Sequence, residues 1–534
     1  MKKKTYTIIT LCLSMILLVS LCLIIGNYKK QKESFSSLCI SEDKFNEIIK
    51  DKKQSSTPLL KELVFDGNEL FFDEEDNRFY YSLVKDSTTA YNPTIEWNGL
   101  LYNIAIKDNK ITDDLIHYNQ DIDILIYNNN QYTISKLTCT TLPLMNVNVN
   151  IAMEEIGETY QDMHMIMFDN NGNSFTDLKG EIEIRGSTST RYPKKSFKIK
   201  LREERNVEQS DIQIMDFPVG REYILYPGYN DPERIRNVFS TNLWYESCAD
   251  DNMFNIKVGQ YYKYFELFLN GKYWGLYAIT YPMDETVFEL DLDPDSPKYP
   301  YENFYKKSDF TIRETEVDWL VDNNYGYTLK TNQHNANAWY PLKDFYYTLT
   351  KSRNADEIIN RIDIDNSIDI FMFYNLIQGV DNVSIMGNDD LYLHNIYLIS
   401  KKYDSGIKIL YAPWDMDRTW GNGKDGENYI FPADFNSIMY INPLFFLLNL
   451  GKNDVKQLIE NKYSNLRQNE WSNQNIMNIL NECEKDIFCS GAYLRDVQKW
   501  PDSAQCKDGL TVFKDYVISR LGYMDKYIEE FCTN

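Results

Sequence analysis

The apolar positions of this chain fall into three rhythms. The first is an unbroken run. Thr7 to Gly26, TIITLCLSMILLVSLCLIIG, is mostly apolar and carries no charge, about the length that crosses a bilayer as a helix. Lys2, Lys3 and Lys4 precede it, as at the cytoplasmic end of an export segment. No A-x-A cleavage site follows, and Leu21 and Leu38 stand before Cys22 and Cys39 where a lipoprotein signal has a small residue. A retained anchor is expected rather than a cleaved signal, with residues 1–33 forming the tip and anchor and the rest of the chain lying outside the cytoplasm.

The second rhythm is a period of two. Residues 34–141 open with a short helical stretch, SEDKFNEIIKDKK, and continue as alternating segments (ELFFDE, RFYYSLV, DIDILIYNN) separated by Asn, Asp and Gly. This predicts a small antiparallel β-rich accessory domain. It shows no constellation of catalytic residue types, so a spacer or adhesion module is expected. A second strand-rich unit begins at LPLMNVNVNI, Leu142 to Ile151, and continues through DMHMIMFD, GEIEIRG and KSFKIKL. In FELFLNGKYWGLYAIT the pair Asn270-Gly271 sits between two alternating runs, a strong hairpin signal.

The third rhythm is helical. NVFSTNLWYES reads as a helix. From about Tyr340 the period lengthens, and in NSIDIFMFYNLIQ the positions Ile370, Phe373, Leu376 and Ile377 share one face, with Asn366 and Asp369 marking a helix start. Two strands, NIYLIS and GIKILYAPWD, follow, and the chain is helical again from Asp454. A strand-rich part ahead of a helical part predicts an α+β catalytic-type domain over residues 142–534, with no internal repeat.

Charge narrows the function. The chain has 56 Lys and Arg against 79 Asp and Glu, a net charge of −23. That balance disfavours nucleic acid as a partner. Most of the acid is read as a solvated shell, compatible with a basic protein partner or a metal-using site. Four histidines in 534 residues leave His-based catalysis poorly supplied. Of nine cysteines none forms a C-x-x-C pair, which argues against a zinc knuckle. Export would permit a disulfide among the four near the C-terminus.

Four segments could carry chemistry. In IRGSTSTRYPKKSFKIKL, Ile184 to Leu201, a Gly/Ser/Thr loop leads into a strand with Ser196, Lys198 and Lys200 on one face and Phe197, Ile199 and Leu201 on the other. Such a loop and lysine face suit an anionic ligand; a solvated lysine edge is the plain alternative. In YNDPERIRN, Asp231 is explained by helix capping, whereas Arg236 and Asn237 are less easily dismissed. LIQGVDN ends the apolar helix with Asp381 and Asn382, and Asp390 and Asn395 follow. YAPWDMDRTWG places Asp415 and Asp417 between two tryptophans at a strand end. An acid in a loop, an amide beyond it and an acid closing the next hairpin match the division of labour in phosphoryl transfer.

With these motifs in this order (RGSTSTRYPKKSFKIKL, YNDPERIRN, LFLNGKYWGLY, NLIQGVDN, YAPWDMDRTWG) the chain resembles the CotH family, the spore-coat-protein-H kinases, from about Leu142 to the C-terminus. The resemblance implies an α+β, protein-kinase-like two-lobed domain that uses ATP and Mg²⁺ or Mn²⁺ to phosphorylate serine, or threonine, on secreted, surface or spore-coat proteins; basic, Ser-rich substrates would suit the acidic chain. It implies that Asp381 is the catalytic aspartate, that Asp415 binds the metal with Asn395 and Asp417, and that the basic segment serves the nucleotide. There Lys200 is the favoured phosphate ligand, beside Lys195, Lys198, Arg185 and Ser187. The segment between Asp381 and Asn395 is longer than the family loop, which makes Asp390 a rival for the catalytic position. The family often has a glutamate where this chain has Thr280-Tyr281-Pro282. A kinase-like domain retained only as a surface scaffold is the alternative reading.

Overall fold

The computed structural model describes residues 30–202, 212–307, 311–312, 326–386, 390–404, 406–422 and 442–533. The apolar run 7–26 lies outside the described residues. Among those described, no helix is long and apolar enough to cross a membrane. The seven described cysteines are all unpaired, so the disulfide that export would permit is not formed.

The chain is a mixed α+β protein with several sheets. Residues 34–141 form two sheets around a core of their own that includes Phe65, Phe79, Ile95, Trp97 and Ile124. The helical start is realised as Glu42–Ile49, with the Ser41 hydroxyl accepting the Lys44 N–H. The pairing is mixed rather than antiparallel throughout: Gln131–Thr140 runs parallel to Arg78–Ser82 and antiparallel to Ile122–Tyr127.

The second unit opens with a closed seven-stranded barrel. Its strands are Leu144–Val149, Gln161–Asp169, Ser174–Arg185, Ser196–Arg202, Glu222–Tyr226, Lys263–Leu269 and Lys272–Thr280. The last two pair as a hairpin, and the ring closes by parallel pairing of Leu144–Val149 with Lys263–Leu269. Alternation fills the interior: Met145, Val147, Met165, Phe197, Ile199, Leu201, Phe265 and Leu267 share one buried core. Asn270 (φ +51) and Gly271 (φ +75) turn the hairpin, both in the left-handed region such turns require.

Beyond the barrel lies a four-stranded sheet in the order Tyr327–Leu329, Asn303–Lys307, Ile396–Tyr403 and Gly406–Pro413. Helix Ile364–Ile377 packs on it. The helix begins three residues before the position expected from Asn366, because the Asp363 side chain accepts the Asn366 N–H at 3.0 Å. It is also not one-faced: every residue from Asn366 to Ile377 is buried. Polar residues inside it are used, as where the Asn366 amide exchanges two hydrogen bonds with the Tyr411 backbone (2.6 and 3.0 Å). Helices Asp454–Gln468, Asn473–Glu484, Ala492–Lys499 and Thr511–Thr533 complete the body.

Candidate active site

Helix Ile364–Ile377 ends where Gln378 turns left-handed (φ +57). Arg520, fully buried, donates to the Leu376 carbonyl at 3.2 Å and the Asn375 carbonyl at 2.5 Å, satisfying acceptors that a helix end leaves open. The chain then reaches Asp381. Its carboxylate accepts the Asn395 amide at 3.3 Å and the Arg418 guanidinium at 3.2 Å. The neighbouring Asn382 is buried and donates to the carbonyls of Asn395 (3.1 Å) and Trp414 (2.9 Å). One amide thereby holds together the loop after the helix, the turn at Asn395 and the end of strand Gly406–Pro413.

The segment from Trp414 to Asn422 is anchored along its length. The Met416 N–H donates to the Asn237 side chain at 2.9 Å, and the Trp420 N–H to the Ile377 carbonyl at 2.6 Å. The Trp420 indole reaches Ser240 at 2.9 Å, and the Asn422 amide reaches the Asp417 carbonyl at 3.0 Å. Asp415 is exposed at the tip with φ +55, while Asp417 is half-buried. Burial pushes the Asp417 carboxyl well above the usual carboxylate range; the charges of Asp415 and Asp381 add to this and Arg418 opposes it. Asp381, Asn395, Asp415 and Asp417 therefore come together from three separate parts of the chain.

Asp390 is placed differently. Strands Val383–Met386 and Asp390–Leu393 form a hairpin in which Val383 pairs with Leu393 and Asp390 with Met386. Three residue steps along a strand put the Asp390 backbone roughly 10 Å from the base of the hairpin, where Asp381 and Asn395 lie.

The residues of the basic segment are engaged elsewhere. Lys198 and Lys200 bond Glu222 at 2.6 and 3.3 Å, Lys195 donates to the Thr190 carbonyl at 2.7 Å, and Ser187 is exposed. Glu222 comes from the neighbouring strand, which a single segment of sequence does not reveal. Arg185 ends its strand opposite Ser196 and lies over the Trp414 ring, 5.7 Å from the centroid.

Two residues of the site, Lys306 and Arg418, carried no sequence signal, and a third, Asn237, stood out without a role. Lys306, inside an ordinary strand, also lies 5.7 Å from the Trp414 ring centroid. Burial lowers its pKa and the Asp415 charge works against that. Arg418 directly follows WDMD and contacts Asp381, thirty-seven residues earlier in the chain. Asn237 positions Met416 from the first turn of helix Arg236–Ser247. The helix starts at Arg236 with Ile235 at its N-cap, not at Asp231 as expected, but the Asp231 carboxylate takes the Arg236 N–H at 2.6 Å and its guanidinium at 2.5 Å.

Among the described residues, no group of three or more His, Cys, Asp or Glu is arranged to hold a metal on its own. The donor set here is two carboxylates with side-chain amides, which suits a hard cation that keeps its waters and takes further oxygens from phosphates. The Asn422 side-chain oxygen is a buried acceptor with no hydrogen-bond partner among the described residues, so the oxygen-rich site has acceptor capacity to spare.

The fold and this cluster define an α+β protein in which a closed barrel and a helical body frame a carboxylate-and-amide site. Residues 182–524 match the family model described as CotH kinase protein, from the end of strand Ser174–Arg185 into helix Thr511–Thr533. The match covers more than half of the chain, and the chain belongs to the CotH family. Comparison with curated proteins gives no match.

Proposed function

We propose that this protein is an ATP-dependent protein kinase that phosphorylates serine or threonine hydroxyls. The observation that carries the reading is the convergence of Asp381, paired with Asn395, on the Asp415–Asp417 turn. ATP with Mg²⁺ or Mn²⁺ supplies the transferable γ-phosphoryl group. Asp415 and Asp417, with the Asn395 amide, are the residues that would hold the ion. Asp381 takes the proton of the attacking hydroxyl, whose oxygen bonds phosphorus as the bond to ADP breaks. Asn395 and Arg418 fix the direction in which Asp381 faces. In a two-lobed reading, the barrel serves as the nucleotide lobe and the helical body as the substrate lobe.

The reading extends to setting. An anchor at residues 7–26 would hold the catalytic domain outside the cytoplasm, against secreted, surface or spore-coat proteins, and the net charge of −23 favours basic, Ser-rich substrates. The full-length protein should incorporate label from γ-labelled ATP with Mn²⁺, into itself or a basic Ser-rich peptide. Asp415→Asn and Asp381→Asn should abolish the label. Failure of the wild type both to bind nucleotide and to label would overturn the kinase and leave a family member acting as a surface scaffold.

A further inference from the structure

Several buried cations of this protein come with acids, while the fully buried Arg520 is met by two backbone carbonyls. Lys194 bonds Asp496 at 2.7 Å, Arg236 bonds Asp231 at 2.5 Å and Arg495 bonds Glu266 at 2.7 Å. Even Lys462, at the edge of the helical body, meets Asp369 at 2.9 Å. This is the expected economy, since a cation withdrawn from water without a counter-charge is costly.

Arg185 and Lys306 depart from it. Both are half-buried, and among the described residues neither has a carboxylate within ion-pair distance. Each instead lies 5.7 Å from the centroid of one ring, Trp414, so they stand no further apart than twice that distance. Contact with a ring face offsets only part of the cost of taking a cation out of water. The two charges arrive on different frameworks, Arg185 from the end of a barrel strand and Lys306 from the four-stranded sheet. Trp414 is fixed beneath them by the Asn382 amide, and the next residue is Asp415.

An anion that completes this arrangement must meet two cations carried on different frameworks and bring charge to the edge of an acidic cluster. A single carboxylate or phosphate would meet repulsion from Asp415 and Asp417. A polyphosphate accompanied by a divalent cation meets both requirements, because its metal neutralises the acidic side while its oxygens face Arg185 and Lys306. We propose that Arg185 and Lys306, seated on Trp414, form the phosphate cradle of the nucleotide site, in place of the ion-paired Lys200. The inference rests on the kinase reading above. It adds that the polyphosphate ties the barrel to the four-stranded sheet.

The test is calorimetric titration of the full-length protein with ATP, and separately with adenosine, in Mg²⁺. Lys306→Met and Arg185→Gln should each weaken ATP binding about tenfold or more, with adenosine affinity changed by less than about twofold. Lys306→Arg should restore ATP affinity to within about threefold of the wild type, as a charge-dependent role requires. Lys200→Met should have a smaller effect than Lys306→Met. Wild-type ATP binding that survives both Lys306→Met and Arg185→Gln, or falls more in Lys200→Met, would overturn the cradle and leave the kinase reading standing. Equal loss of adenosine and ATP with no rescue by arginine would also overturn it. A wild type that does not bind ATP removes the kinase reading and the cradle together.

Discussion

The Asn382 side-chain amide donates to the Trp414 carbonyl over 2.9 Å and to the Asn395 carbonyl over 3.1 Å, in a position closed to solvent. The contact joins three segments that are otherwise separate in the chain and sets the spacing between Asp381 and Asp415. Asn382→Ala would take the donor from the buried Trp414 carbonyl and leave the Asn395 carbonyl with the Trp414 N–H at 3.1 Å. At 1–3 kcal/mol for one unsatisfied group, it should lower stability by about 1–3 kcal/mol, read as an earlier denaturant midpoint. Asn382→Asp should fall at least as far, because it turns a negative oxygen toward the same carbonyls.

Asp415 is held at φ +55, in the left-handed region that Asn and Asp tolerate better than other side chains. Charge and backbone can therefore be separated. Asp415→Asn should melt within about 0.5 kcal/mol of the wild type, the range of an ordinary surface change, while phosphate incorporation drops by about 10²-fold or more. Asp415→Val should lose the same activity and a further ~1–2 kcal/mol of stability. A variant Asp415→Asn that still labels at the wild-type rate would remove this side chain from the chemistry.

Asp381 and Asp390 are distinguished by where their backbones lie. Asp381 contacts Asn395 and Arg418, whereas Asp390 sits at the far end of the hairpin that rises between them. Asp381→Asn should therefore abolish labelling, and Asp390→Asn should retain more than about half of it, the effect of a residue outside the reacting geometry. Initial rates of peptide phosphorylation decide the matter; the reverse pattern would transfer the base to Asp390.

How far the chain could be read depended on whether a feature was local. The Asn270-Gly271 hairpin was legible because its turn requires positive φ at both residues. The inward set Phe197, Ile199 and Leu201 was legible because a strand alternates strictly. Asp381, Asn395, Asp415 and Asp417 were found because each lies at a recognisable punctuation of helix, turn or strand end. Lys306 was not, since a lysine in strand Asn303–Lys307 has no local mark. What distinguishes it is that no carboxylate among the described residues pairs with it, a property of packing. The same holds for Lys198 and Lys200, whose face was correctly inferred but whose partner Glu222 sits on another strand. The helical face expected from Ile370, Phe373, Leu376 and Ile377 understated the burial of that helix, because a sheet and further helices cover its other sides.

The contact between residues 34–141 and the barrel was equally hidden, because it is made by aromatic residues far apart in sequence. Tyr80 stacks on Tyr273 (5.4 Å, 6°) and meets Phe268 edge-on, while Asp73 accepts the Tyr273 N–H at 2.9 Å. Arg495, paired with Glu266, also reaches Asn119 at 2.8 Å. This is a packed interface, so the two units should unfold together. Tyr80→Ala should cost about 3–5 kcal/mol, the usual range for removing a buried aromatic ring. Scanning calorimetry should show one transition in the wild type and an earlier, separate one for residues 34–141 in Tyr80→Ala. Two transitions already present in the wild type would mean that the contact contributes little.

Lys194 gives a further test. Its ammonium is fully buried, donates to the Pro227 and Leu276 carbonyls at 2.6 Å each, and meets Asp496 at 2.7 Å. Burial nevertheless outweighs the partner and pushes the group down to about 8 from its usual 10.5. Below pH 8 the lysine is charged in both folded and unfolded chains. Between about 8 and 10.5 the unfolded chain still binds the proton and the folded chain has released it, so stability from this group rises with pH across that window. Lys194→Met removes the titration while Asp496 keeps Arg234 and the Leu276 N–H. The melting temperature of the wild type relative to Lys194→Met should therefore climb from pH 8 to pH 10 and be level from pH 6 to pH 7.5. A difference that stays flat, or falls, over the alkaline range would show that the folded protein keeps this lysine protonated as firmly as water does.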